Sequence, residues 1–202
     1  MISRRLLLLA VALAAGVPAA ARAAIPPTTT ISSFYDTLLA TMKDGPQLGF
    51  KGRSERLSPA IHRTFDLPLM TRLMVGPQWA SLTPAQQQQL VAAFGDFSVA
   101  IYASRFDDYS GERFSVDPDA TPTGNGVIVR TKLIKTDGDR VEIDYLMRDA
   151  DGDGAFQIID VYLSGTVSEL ATRRSEFSSV LRRGGADALV DLLQKRTAEL
   201  RG

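Results

Sequence analysis

The sequence predicts an α+β fold, with helices in the N-terminal and C-terminal parts of the chain and an antiparallel sheet between them. Up to about residue 110, apolar residues recur at three- and four-residue spacings, which is the period of a helix. Between residues 112 and 164 the period changes to two, as in strands, and after residue 167 the helical period returns. Separate helical and sheet segments along one chain are typical of the α+β class.

The first 23 residues are predicted to be a secretory signal peptide. Two arginines, at positions 4 and 5, precede an apolar stretch from Leu6 to Val17, and Ala21-Arg22-Ala23 supplies the small residues that a signal peptidase requires. The apolar stretch is shorter than the roughly 20 residues that a membrane-spanning helix needs. We therefore expect one exported domain over residues 24–202, with helices in 30–110, a sheet in 112–164 and helices in 167–200.

The composition excludes several classes of function. The chain has 23 basic and 23 acidic residues, so it lacks the basic excess that neutralises phosphates, and nucleic acid is not expected as a partner. It contains no cysteine, which removes disulfides and attachment of a lipid through sulfur. With one histidine and no cysteine, a metal site would have to consist of carboxylates.

Four helices are predicted before residue 110. Ile31 begins an apolar stripe that ends before Gly45-Pro46. Two short helices follow, because Ser58 and Asp66 can each cap a helix whose first turn contains a proline. Thr83 then begins the capping-box pattern of a long helix. The predicted helices cover about residues 31–42, 59–65, 68–75 and 84–109.

Four strands with short connections are predicted next, at residues 112–117, 126–135, 140–148 and 155–164. In the third strand, apolar side chains alternate with charged ones, which indicates one covered face and one solvated face. The long helix and two C-terminal helices, 167–183 and 186–200 on either side of Gly184-Gly185, are the candidates to cover the apolar face.

The acidic stretch that begins at Asp149 resembles a calcium-binding loop, because Asp149, Asp151, Asp153 and the following glycine are spaced as in such loops. Position twelve, however, is Asp160 in place of the longer glutamate, and both flanks alternate like strands rather than helices. If a strand begins at residue 155, Asp160 lies ~17 Å from the turn. The stretch is therefore predicted to be a hairpin turn and not a metal site.

No catalytic constellation is apparent. His62 is the single histidine, and no serine lies in a G-x-S-x-G sequence. Asp107 and Asp108 are adjacent, so on a helix their side chains point about 100° apart and do not converge on one bond. We therefore predict no catalytic site and no cofactor.

Three segments resemble a known family: "FDLPLMTRLMVGPQWASLTPAQQQQLVAAF", "YASRFDDYSGERF" and "FQIIDVYLSGTVSELATRRSEFSSVLRRGGADALVDLL". They are similar to the periplasmic lipid-binding component of Mla-type ABC transport systems, the MlaC or toluene-tolerance family, and also to its hopanoid-associated branch, HpnM. The resemblance covers roughly Phe65 to Leu193. Its specific parts include Phe65-Asp66 with Met70-Thr71-Arg72, and Arg174-Ser175-Glu176-Phe177 ahead of the double glycine.

The resemblance implies an NTF2-like arrangement, in which N-terminal and C-terminal helices wrap a four-stranded antiparallel curved sheet around an apolar lipid cavity. The cavity would hold the lipid tails and leave the headgroup outside. The implied ligand is a phospholipid or a hopanoid-like lipid, the implied partners are membrane-bound components of an Mla-type transporter, and the implied location is the periplasm.

The candidate lipid-binding residues are apolar side chains on the predicted sheet face and on the helices that cover it. They are Phe97, Ile101, Tyr102, Val129, Leu133, Ile143, Tyr145, Met147, Val161, Leu163, Phe177, Leu181, Leu189 and Leu192. The last strand could turn either of two faces inward, the one with Ile159, Val161 and Leu163 or the one with Phe156, Ile158 and Tyr162. The first is favoured because Asp160 belongs to the second.

Two other functions stay open at this point. One is an enzyme that modifies lipids with His62 as its base, and the other is an adaptor protein with a solid core and no ligand.

We expect calorimetric titration with calcium to give no binding at sub-millimolar concentration, because the three aspartates of the stretch lie in a solvated turn. Replacement of Asp149, Asp151 and Asp153 by asparagine should leave function unchanged. A saturable calcium signal that this triple substitution removes would contradict the interpretation.

Overall fold

A computed structural model describes residues 25–150, 152 and 154–201 of the chain. The predicted signal peptide lies outside the described residues, as do Asp151 and Asp153. Within the described part, no helix combines the length and the apolar composition that crossing a membrane requires.

The N-terminal part is helical, as predicted. It contains α1 (Pro27–Lys43), α2 (Gly45–Thr64), α3 (Leu67–Val75), a 3₁₀ helix (Gly76–Ser81) and α4 (Pro84–Arg105). The predicted capping box is confirmed: the Thr83 hydroxyl oxygen accepts from the Gln86 amide at 3.2 Å, and the Gln86 side chain accepts from the Thr83 amide at 3.1 Å. The helix that it begins ends at Arg105, four residues before the predicted end.

The predicted short helix at residues 59–65 is wrong in extent. It is the last part of α2, which begins at Gly45 and contains a kink at Gly49, where φ is +60°. Arg53 stabilises the earlier part, because its guanidinium donates to the carbonyls of Ala103 and Gly45 at 2.8 and 2.9 Å. A buried arginine that binds the end of α4 is a tertiary contact, which local capping signals do not report.

The described residues form a curved, seven-stranded antiparallel sheet rather than the predicted four strands. The strands are β1 (Arg113–Val116), β2 (Thr121–Thr123), β3 (Gly126–Val129), β4 (Thr131–Ile134), β5 (Arg140–Asp149), β6 (Phe156–Leu163) and β7 (Val167–Ser168). The long strand β5 pairs with β3 and β4 along one edge and with β6 along the other. The short strands β1, β2 and β7 extend the sheet outwards.

The predicted strand 126–135 is divided into β3 and β4 at Arg130. At this break, side chains replace the regular ladder: the Thr131 amide donates to the Asp144 carboxylate at 3.2 Å, and the Thr131 hydroxyl donates to the Ile143 carbonyl. These bonds satisfy polar groups that a strand would otherwise pair through its backbone.

The acidic stretch connects β5 and β6, which pair as an antiparallel hairpin, as predicted. The Asp149 carboxylate accepts from the amides of Gly152 and Gly154 at 2.9 and 3.0 Å, so both of its oxygens serve the turn. Asp160 is buried in β6, where it accepts from the Ser168 hydroxyl at 2.6 Å and from the Leu170 amide at 3.1 Å. This carboxylate therefore anchors the start of the last helix.

The C-terminal segment is one element, α5 (Glu169–Glu199), interrupted at Gly185, where φ is +69°. It begins two residues later than predicted because Val167 and Ser168 form β7. Glu176 and Arg196 are joined by an ion pair of 3.1 Å, although 20 residues of straight helix would separate them by about 30 Å. The two parts of α5 therefore fold back on each other at Gly185.

We expect Gly126→Ala to lower the free energy of unfolding by roughly 2–4 kcal/mol. Gly126 has a φ of +149°, and an added Cβ would lie 2.1 Å from the Met147 carbonyl oxygen across the β3–β5 pairing. Chemical denaturation measures the change. The control is Gly124→Ala in the adjoining turn, where nothing lies within 4 Å of the added carbon. Equal stability of the two variants would contradict this interpretation.

Candidate ligand cavity

An apolar cavity of about 130 Å³ opens between α4, the start of α5 and one face of the sheet. It is lined by Phe65, Met70, Phe94, Phe97, Ser98, Ile101, Tyr102, Arg105, Phe106, Ile143, Tyr145, Val161, Leu163, Glu169, Leu170 and Arg173. The apolar side chains form its interior, and the charged ones lie at its opening.

One wall of the cavity comes from α4. Its lining residues follow one another at three- and four-residue spacings from Phe94 through Phe97 and Ile101 to Arg105, which places them on one helix face. The opposite wall comes from two cross-strand pairs of β5 and β6, Ile143 with Leu163 and Tyr145 with Val161. Directly opposite residues of an antiparallel pair project from the same face of a sheet, so the four side chains form a continuous apolar surface.

Three tyrosines, Tyr35, Tyr102 and Tyr145, lie close together, and the last two line the cavity. Tyr145 is almost fully buried, and its ring lies edge-on to that of Tyr35 with centroids 5.9 Å apart. The Tyr35 hydroxyl lies 2.5 Å from the Thr131 hydroxyl oxygen. Because Thr131 uses its only hydroxyl proton on the Ile143 carbonyl, Tyr35 is the donor in this bond. Tyr35 is therefore hydrogen-bonded although it is surrounded by apolar side chains.

Burial raises the pKa of each of these three tyrosines. It raises the pKa of Tyr35 to about 12, against the opposing effect of the hydrogen bond with Thr131. The pKa values of Tyr102 and Tyr145 are raised further, again chiefly because burial disfavours the phenolate. The surroundings of these three hydroxyls therefore disfavour the charged phenolate.

The opening of the cavity carries three charged side chains. Arg173 is ion-paired with Glu169 at 3.3 Å and with Glu176, outside the lining, at 3.1 Å. Its guanidinium also lies over the ring of Phe97, 5.4 Å from the centroid. Arg105, at the end of α4, is exposed. The site thus combines an apolar interior with a charged rim, an arrangement suited to an amphipathic ligand.

The structure brings together seven of the 14 predicted lipid-binding residues, and the other seven lie outside the cavity lining. The lining includes Phe97, Ile101, Tyr102, Ile143, Tyr145, Val161 and Leu163. The residues outside it are Val129, Leu133, Met147, Phe177, Leu181, Leu189 and Leu192, which belong to the packed core or lie against it. Helical or alternating spacing identifies a covered face, but it does not distinguish a face that contacts other side chains from one that borders a space.

The inward face of β6 changes along the strand because of a β-bulge. Tyr145 pairs with Val161 and Leu146 with Asp160, but Met147 pairs with Ile158, which leaves Ile159 as the extra residue. Val161 and Leu163 line the cavity, as the favoured face predicted. Beyond the bulge, Ile158 continues that face in place of Ile159 and packs in the core.

Sequence reasoning missed the charged rim and several apolar lining residues. Phe94 and Arg105 lie on the same face of α4 as the predicted residues Phe97 and Ile101. Extending the three- and four-residue spacing of the predicted residues along the helix would have identified both. Glu169 and Arg173 form an i,i+4 pair, which is a common pattern on solvated helices. Nothing in the sequence distinguishes this pair from an ordinary surface ion pair.

His62 does not act as a base for the nearest serine in this structure. It is exposed on α2, outside the cavity lining, and its Nδ1 lies 2.8 Å from the Ser58 carbonyl oxygen and 3.4 Å from the Ser58 hydroxyl oxygen. A carbonyl oxygen only accepts, so Nδ1 carries a proton and donates it to this carbonyl. That nitrogen therefore cannot accept the serine proton.

Comparison with known proteins supports the resemblance seen in the sequence. A family model described as MlaC protein matches residues 32–195. Among solved structures, the chain is similar to a phospholipid-binding protein from Ralstonia solanacearum in complex with a phospholipid. The TM-score is 0.75 at 24% sequence identity, over 88% of this chain and 100% of the other. The two chains therefore share a fold.

We expect the three tyrosines of the cluster to ionise only when the protein unfolds in alkali. Their folded pKa values lie above the ordinary value of about 10, so the stabilisation is complete below that pH and is lost as the pH rises through the folded values. Tyrosinate absorbance, followed together with circular dichroism, tests this. Ionisation of all five tyrosines of the chain near pH 10 with the fold intact would contradict it.

Proposed function

Because the chain belongs to the MlaC protein family, we propose that it is a periplasmic carrier that holds the acyl chains of a phospholipid in its cavity. The apolar cavity with a charged rim carries this proposal. The similar protein from Ralstonia solanacearum is described as a phospholipid-binding protein in complex with a phospholipid, which supports the same class of ligand. The action is binding and release, and it requires no catalytic step by this chain.

The energetics of lipid transfer explain why such a carrier is needed. Each methylene group moved from an apolar environment into water costs about 0.8 kcal/mol, so release of a sixteen-carbon chain costs on the order of 12 kcal/mol. Unaided desorption from a membrane is slow for this reason. A protein with an apolar cavity keeps the acyl chains of the lipid away from water while the lipid moves between membranes.

The carrier would receive and deliver its lipid at membrane-bound components of an Mla-type transporter. This chain would be exported with cleavage of residues 1–23, and residues 24–202 would form the single lipid-binding domain. The proposed contacts with the ligand tails come from the seven predicted residues that line the cavity, together with Phe65, Met70, Phe94, Phe106 and Leu170.

Loading requires the cavity to widen. Its volume of about 130 Å³ is below the roughly 300–1,000 Å³ of pockets that enclose ligands of drug size. The first part of α5 would widen the cavity by shifting as a unit, with its buried Phe177 and Leu181, about Gly165 and Gly185, which have φ values of +72° and +69°. The backbone at such positions can change direction with little steric cost.

We expect Ile101→Glu to give folded protein that is purified without lipid. Ile101 lines the cavity and is only half-buried, so the carboxylate can keep part of its water, but it would lie beside the acyl chains of a ligand. Organic extraction followed by mass spectrometry measures bound lipid, and circular dichroism reports the fold.

The matched control is Val91→Glu, which places the same charge at a half-buried aliphatic position of α4 outside this cavity. The control should retain its lipid. Lipid at wild-type stoichiometry in Ile101→Glu would place the ligand elsewhere, and absence of lipid from the wild-type protein under all conditions would favour an adaptor without ligand.

A further inference from the structure

The two arginines at the cavity opening differ in their partners. Arg173 is neutralised by two carboxylates, those of Glu169 and Glu176, and only 17% of its side chain is exposed. Arg105 forms no ion pair and no side-chain hydrogen bond with any residue in the part of the chain that the structure describes. The cavity opening therefore carries one guanidinium whose donors are available to a ligand.

The position of Arg105 relates it directly to the apolar interior. It follows Ile101 by four residues on α4, so it lies about one helical turn further along the same lining face. Glu169 and Arg173 of α5 line the same cavity, and their charges pair with each other. A ligand whose tails fill the apolar interior would place its polar group beside Arg105.

The chemistry of a guanidinium specifies what that polar group should be. Arginine presents five N–H donors in a planar fork, which matches the oxygens of a phosphate and can bind two of them at once. A diacyl lipid without phosphate offers only neutral oxygens, so it can accept a hydrogen bond from the guanidinium but cannot form an ion pair with it. Charge on the lipid would therefore contribute to binding at the cavity opening.

We propose that Arg105 is a specificity-determining residue that binds the phosphodiester of the lipid headgroup, so that the cavity selects a phosphate-bearing lipid over an uncharged lipid with the same tails. This proposal rests on the proposed function, since it assumes that the tails occupy the cavity. The proposal goes further by distinguishing two classes of ligand, because an uncharged polycyclic or diacyl lipid would leave Arg105 without an anionic partner.

A competition experiment tests the proposal directly. Protein freed of lipid is incubated with vesicles that contain equal amounts of phosphatidylethanolamine and a diacylglycerol with the same acyl chains, then separated and analysed by mass spectrometry. The wild-type protein should retain the phospholipid preferentially. Arg105→Gln should lower the ratio of bound phospholipid to diacylglycerol by about fivefold to tenfold, because it removes the ion pair with the phosphate, which only the phospholipid can form.

The matched control is Arg182→Gln, which removes an exposed arginine of α5 outside the cavity lining and should keep the wild-type ratio. Arg105→Lys, which keeps the charge without the fork, should give an intermediate ratio. If Arg105→Gln does not fold, the wild-type ratio is measured at rising salt, where the preference should decline because an exposed charge is screened.

Three results would overturn the proposal. The first is a ratio of bound phospholipid to diacylglycerol that Arg105→Gln leaves unchanged. The second is a decrease of this ratio in Arg182→Gln as large as that in Arg105→Gln. The third is a wild-type preference for phospholipid that salt does not affect. Binding of neither lipid by the wild-type protein is a different outcome, because it would contradict the carrier function itself.

Discussion

The packing of the helices on the sheet depends on a cluster of aromatic rings. Phe34 of α1 meets Phe65 and Tyr102 edge-on, with ring centroids 5.4 Å apart in each case. Tyr35, the next residue, is stacked 4.2 Å from Phe114 of β1 and lies edge-on to Tyr145 of β5. Such pairs contribute about 0.5–1.5 kcal/mol each beyond the area they bury. These rings hold α1, α4 and the sheet together, and the cavity lies immediately beside them.

The same cluster explains an irregularity of the sheet. Tyr35 needs a partner for its buried hydroxyl, and it finds one in Thr131, at the break between β3 and β4. In an uninterrupted strand, the backbone around Thr131 would pair with β5 through regular hydrogen bonds. At the break, the Thr131 hydroxyl instead lies between the Tyr35 hydroxyl and the Ile143 carbonyl. A buried hydroxyl without a partner costs about 1–3 kcal/mol, so the irregular backbone and the aromatic cluster stabilise each other.

Local signals in the sequence predicted what depends on local chemistry. The capping box at Thr83, the turn at Asp149 and the kink at the double glycine each depend on residues that are neighbours in the chain. The start of α2, the division at Arg130 and the bulge at Ile159 depend on partners far along the chain, which periodicity does not specify. For the same reason, spacing located the apolar face of the sheet but not the half of it that borders a cavity.

The part of α5 that borders the cavity is held by buried side chains as well as by ion pairs. Outside the cavity, Arg173 pairs with Glu176, which also pairs with Arg196 of the second part of the helix. Ion pairs at a surface contribute only about 0–1 kcal/mol each, because solvent screens the charges. The buried side chains Phe177 and Leu181 and the bonds of Asp160 therefore fix the position of this segment more strongly than its ion pairs do. Any widening of the cavity on this side has to move that packed segment as a unit.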